Sequence, residues 1–128
     1  MRSRRAGMWW GTAIEAPAPA ALARFYSALL GWPTVHEEPG AAIVASSPEG
    51  PYFVFQHAEG YRPPVWPPAE GEQRQMMHLD FQVGDLDEAV AEAIELGATL
   101  ATHQPQENVQ VLFDPAGHPF CLCHDGEG

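Results

Sequence analysis

Within "MMHLDFQVGD" (76–85) the polar residues His78, Asp80 and Gln82 fall at every second position, with Leu79, Phe81 and Val83 between them. Successive side chains of a β-strand point to opposite faces. The pattern therefore predicts one apolar face and one face carrying an imidazole, a carboxylate and an amide. An imidazole beside a carboxylate suits two chemistries: general acid–base work near neutral pH, or a share in a metal's coordination shell. By the same alternation Cys121 and Cys123 in "FCLC" share a face. Thiols two residues apart on one strand are badly placed for a mutual disulfide. A single Cys-x-Cys is also a weak metal signature, and buried free thiols are the plainer reading. Without a disulfide framework, a reducing cytoplasm is the expected compartment.

The composition bounds what these groups can serve. The chain has 128 residues, 45% hydrophobic and 18% charged, which predicts one folded domain with a real core. A net charge of −11 with six basic residues argues against nucleic acid, whose phosphates need clustered Lys and Arg. Three of those six, Arg2, Arg4 and Arg5, precede "MWWGTAIEAP", which is too short and interrupted for a signal peptide or membrane span. Residues 1–7 are expected to be a disordered leader to a single domain over 8–124. No P-loop, dinucleotide fingerprint or serine-hydrolase elbow is present.

The elements that must position the polar residues come in duplicate. "SPEGPYFVFQH" (47–57) and "DPAGHPFCLCH" (114–124) align at an offset of 67, with Pro48/Pro115, Gly50/Gly117, Phe53/Phe120 and His57/His124 identical. Pro-x-Gly ahead of an apolar run is a turn feeding a strand, so each copy predicts a hairpin, with "AAIVAS" and "NVQVLF" as the preceding strands. Before each hairpin stands a strand and then a helix. In the first copy "WGTAIEA" leads to "PAALARFYSALLG", where Pro19 suits the first helical turn and Gly31 the left-handed stop. In the second, "HLDFQV" leads to "DLDEAVAEAIELG", with Asp85 and Glu88 spaced as a capping box and Gly97 as the stop.

The chain thus reads as two strand–helix–hairpin modules, about 8–58 and 76–124. They are joined by a Pro-rich connector, about 59–75, that carries Tyr61 and Trp66. Four prolines around Trp66 favour extended backbone. The connector is either a plain linker or a stiff arm laying its aromatics over a pocket or a partner.

In order, "LARFYSALLGW", "HLDFQVGDLDEAVAEAIELGA" and "FDPAGHPFCLC" resemble the vicinal oxygen chelate superfamily, the glyoxalase, bleomycin-resistance and extradiol-dioxygenase group, in its glyoxalase-like branch. The resemblance covers about residues 9–124. It implies an α+β fold of two pseudo-symmetric βαβββ modules forming a curled, half-open mixed sheet around a cavity, commonly as a homodimer. It also implies, for metal-dependent members, one ligand from the first and one from the last strand of each module. Those positions fall here on Gly11, Val54, His78 and Cys121, where the family carries His or Gln, Glu, His and Glu. Gly11 and Val54 have no donor atom, so no cofactor is expected, with a divalent metal as the lesser possibility.

Alternation then assigns Glu15, Tyr52, Gln56, His78, Asp80, Gln82 and Cys121 to the cavity face, with Ala13, Val54 and Cys123 among them and Trp66 brought by the connector. Phe53, Phe55, Leu79, Phe81, Phe120 and Leu122 should pack beneath the helices. The polar face supports three readings: a pocket for a small organic molecule, a hydrogen-bonded structural plug, or an acid–base site on His78. The expected function is binding or sequestering a small molecule without the usual metal set. The alternative is a lyase, isomerase or dioxygenase-type enzyme acting through His78, with an atypical metal site or without metal. The remaining histidines read as plain: His118 a solvated turn residue, His36 part of a charged loop with Glu37 and Glu38, His103 in a polar connection.

Overall fold

A computed structural model describes residues 1–124 and divides the chain into two compact units between Tyr61 and Arg62. The first contains β1 (Gly11–Ala16), α1 (Pro19–Leu30), β2 (Thr34–Glu38), β3 (Ala41–Ala45) and β4 (Tyr52–His57). Its sheet has the order β1-β4-β3-β2, with β1 parallel to β4 and the other pairs antiparallel. The parallel pair is possible because α1 supplies the crossover. Pro19 opens α1, and Gly31 closes it at φ 70°, donating its N–H to Ser27 O at 2.9 Å.

One face of α1 presents Leu22, Ala23, Phe25 and Tyr26 to the sheet, all buried. Tyr26 stacks on Phe55 with ring centroids 5.4 Å apart, and Trp32 stacks on Phe53 at 5.5 Å. Each fully buried ring of this kind stabilises by about 1.5–3 kcal/mol through removal from water. Phe53 and Phe55 therefore lie beneath the helix, as alternation requires.

The second unit repeats the plan with β5 (Leu79–Gln82), α2 (Leu86–Leu96), β6 (Thr99–Leu100), β7 (Val109–Phe113) and β8 (Pro119–Cys123), in the order β5-β8-β7-β6. The Asp85 carboxylate caps α2 by accepting the Glu88 N–H at 2.9 Å, and Gly97 ends it at φ 120°. Leu112, Phe120 and Leu122 form the helix-side core with Ala93 of α2. Two βαβββ modules, each with a four-stranded mixed sheet, are thus the architecture.

The repeat extends to register. Gly11 pairs with Tyr52 and Leu79 with Phe120, so both parallel ladders join residues 41 apart. The hairpins differ by one residue. Ala45 pairs with Tyr52, whereas Phe113 pairs with Pro119 across a tighter loop. Asp114 accounts for the tightening. Its Oδ1 accepts the N–H groups of Ala116 at 2.9 Å and His118 at 3.0 Å, and its Oδ2 lies 2.8 Å from His118 Nδ1.

Two expectations need correction here. His118 is not a solvated turn residue: its side chain is 21% exposed and paired with a fully buried carboxylate. His36 lies in strand β2 rather than a loop, 3.2 Å from Glu38. All five β2 residues are exposed, so no alternation of burial marked the strand.

Candidate functional site

The chemistry of the second unit gathers at the β5–β8 ladder. Asp80 of β5 sits opposite Cys121 of β8, and His78 precedes β5 by one residue. His78 Nε2 lies 3.2 Å from Asp80 Oδ1, with side chains 40% and 61% exposed. One potential ligand atom from each of His78, Asp80 and Cys121 falls within 4.8 Å of the other two.

Cys121 is 8% exposed, and its thiol is pushed up to about 12. Burial is the leading cause, followed by the negative charge of Asp80, the thiol's hydrogen bond to that carboxylate, and then Cys123. Cys123 is raised as well, by burial first and Asp80 second. At neutral pH both are therefore thiols, and Cys121 donates to Asp80. Both cysteines are free.

This inner face also has an aromatic border. Ala101, Val111 and Cys121 form a buried cluster, and Trp66, Val109, Phe113 and Cys123 pack against it. The Trp66 indole N–H donates to His103 O at 3.1 Å, with the two rings 5.7 Å apart. The backbone oxygen of His103 and the cluster on the sheet together hold Trp66 of the connector in place.

Gln104 was not anticipated. Its amide donates to Ala101 O and Val111 O, and its oxygen accepts the Val111 N–H, all at 2.8 Å. It completes hydrogen bonding along β7 where β6 is too short to continue the ladder. Nothing in "ATHQPQEN" reveals this, because the partner strand is chosen by the loop's path.

The first unit carries the remaining candidates. Glu15 and Gln56 are register neighbours on β1 and β4, both exposed. Tyr52 is half-buried, with its ring 5.7 Å from that of Trp9, and it covers Gly11 where any Cβ would stand. Val54 is half-buried beside it on β4. Gly11 and Val54 thus offer no donor, and the space over Gly11 is filled by phenol. The four-position metal set implied by the family does not fit these residues. A groove of about 570 Å³ runs between the first turn of α1 and the β2–β3 turn. Arg24 lines it along with Glu37 and Glu38, so it carries both signs of charge.

The fold has counterparts among solved structures. A glyoxalase/bleomycin resistance protein/dioxygenase family enzyme from Burkholderia phytofirmans PsJN is 18% identical, with a TM-score of 0.65 over 89% of this chain and 95% of that one. A glyoxalase/bleomycin resistance protein from Albidiferax ferrireducens T118 is 22% identical, with a TM-score of 0.60 over 89% and 95%. The trypanothione-dependent glyoxalase I of Leishmania major is 18% identical, with a TM-score of 0.63 over 96% and 88%. Among curated protein sequences, none matches the chain. The family model described as a glyoxalase-like domain matches residues 11–123, from the first residue of β1 to the last of β8, and the chain belongs to that family.

Proposed function

We propose that this glyoxalase-like protein binds a small, partly aromatic organic molecule on the inner face of its second module, without the family's four-position metal set. The observation that carries this reading is the meeting of an indole and a polar pair at one buried cluster, that of Ala101, Val111 and Cys121. Trp66 packs against the cluster containing Cys121, and Asp80 lies opposite Cys121 with His78 at 3.2 Å. Small-molecule sites combine apolar and aromatic walls with a few convergent polar groups. Here Trp66, Val109 and Val111 supply the wall, while His78, Asp80 and Gln82 supply the polarity.

The test is native mass spectrometry for a retained adduct, followed by a thermal-shift screen of planar aromatic compounds in chelator. The Trp66→Ala protein should bind any hit at least about tenfold more weakly, a loss of about 1.4 kcal/mol. Unchanged binding by both Trp66→Ala and His78→Ala would remove this face as the site.

The partner proposed besides the ligand is a second copy of the chain. Trp9, Trp10, Met76 and Met77 are exposed just ahead of β1 and β5, each an edge strand of its sheet. Light scattering would read the dimer directly, and a monomer at high concentration would refute it. No helix among the described residues is long and apolar enough to cross a membrane, and the free thiols suit a reducing cytoplasm. A second reading, acid–base catalysis, rests on the His78–Asp80 contact. It requires His78→Ala to abolish turnover of an identified substrate.

A further inference from the structure

We propose that His78, Asp80 and Cys121 form a site for one borderline-soft divalent cation of the zinc class, contained wholly within the second module. This differs from the family placement, which spreads its ligands over both modules and does not include Asp80. It does not depend on the organic ligand proposed above.

The donor set carries the inference. An imidazole nitrogen, a carboxylate oxygen and a sulfur each offer an atom within 4.8 Å of the other two. Zinc bound to such donors at about 2.0–2.3 Å would bring them to about 3.3–3.7 Å from one another. His78 and Asp80 already stand 3.2 Å apart. The remaining adjustment is about an ångström, within reach of rotamer changes in two side chains that are 40% and 61% exposed.

Cys121 is the fixed member, held in the cluster with Ala101 and Val111. Asp80 takes a hydrogen bond from the Cys121 thiol while in contact with His78. A cation can replace those hydrogen contacts with bonds from the same atoms. When the metal–sulfur bond forms, the thiol proton leaves to solvent. His78 supplies its Nε2 lone pair from the neutral tautomer with the proton on Nδ1. The mixed nitrogen, oxygen and sulfur set excludes magnesium and calcium, which require oxygen donors in larger number. Three protein donors leave a fourth position for water.

The test is zinc titration of the reduced, metal-stripped full chain against a chromophoric chelator, with cobalt as a spectroscopic substitute and no organic ligand present. One ion per chain is expected, and cobalt should show a thiolate charge-transfer band. His78→Ala and Cys121→Ser should each weaken zinc by about 100-fold or more, and Asp80→Asn by about 10–100-fold. Cys123→Ser should leave affinity unchanged. Circular dichroism of the metal-free variants separates ligand loss from misfolding, and the exposed His78 keeps the test open if Cys121→Ser fails to fold. Failure to take up zinc, or uptake lost in Cys123→Ser but kept in His78→Ala, would overturn the proposal. The organic-ligand screen is run in chelator, so either idea can fail alone.

Discussion

Asp80→Asn should make the Cys121 thiol easier to ionise. Cys121 stands at about 12 against an ordinary 9.0, raised by burial and then by the charge and hydrogen bond of Asp80. At pH 9 an ordinary thiol is half ionised, whereas one at 12 is ionised to about one part in a thousand. The amide removes the negative charge but leaves the burial. The titration midpoint should therefore fall towards 9.0 without reaching it. Asp80 has a 61% exposed side chain on an edge strand, so folding should be little disturbed, within about 0.5 kcal/mol.

The assay is thiolate ultraviolet absorbance against pH in a metal-free Cys123→Ser background, supported by alkylation rates. The sign for stability follows. Below pH 9 the folded and unfolded chains both keep this proton, while between 9 and 12 the unfolded chain loses it first. The thiol's contribution is thus complete below about 9 and is lost as pH rises towards 12. In Asp80→Asn that loss should be smaller. An unchanged midpoint in the variant would show that Asp80 does not act on the sulfur, and the assembly of His78, Asp80 and Cys121 would fall with it.

Phe55, fully buried and stacked on Tyr26, should cost about 3–5 kcal/mol when replaced by Ala, and a loss below about 1 kcal/mol in denaturant unfolding would contradict its packing. Asp114→Ala strips the acceptor from two backbone N–H groups and from His118, and should destabilise by about 2–4 kcal/mol. Asn at the same position should recover part of that loss; no difference between Ala and Asn would refute the acceptor role. Gly11→Ala places a methyl where the Tyr52 ring lies and should cost about 1 kcal/mol as the ring swings aside. The same substitution in a Tyr52→Ala background should be neutral, and an undiminished cost there would locate the clash elsewhere.

The two modules, their helices and the division of faces were legible in the residues because each depends on short-range periodicity. Apolar spacing and the Pro19, Gly31, Asp85 and Gly97 boundaries define α1 and α2 within a few positions. The offset of 67 carries through to matching parallel registers, because differences in the individual helix, strand and loop lengths cancel by the time the chain returns to the parallel partner strand. Alternation correctly placed Phe53, Phe55, Phe120 and Leu122 in the core. It put Cys121 on the opposite face, but not the burial there, which comes from the cluster with Ala101 and Val111 and from Trp66 packed against that cluster.

What only the tertiary structure decided concerns meetings between residues far apart or across loops. The path of the connector brings Trp66 to His103, a residue 37 positions away. The tighter second hairpin depends on a carboxylate folding back on its own loop, which the motif "DPAGH" shares with many exposed turns. Strand β2 carried no alternating burial and so left His36 looking like part of a loop. His78, Asp80 and Gln82 could be assigned to one face from sequence alone, because alternation is a property of the backbone. That Asp80 would face Cys121, and that burial would keep its thiol protonated, required the β5–β8 register and the surrounding core. Local geometry determines which way a side chain points, and the packing of distant segments determines what it meets there.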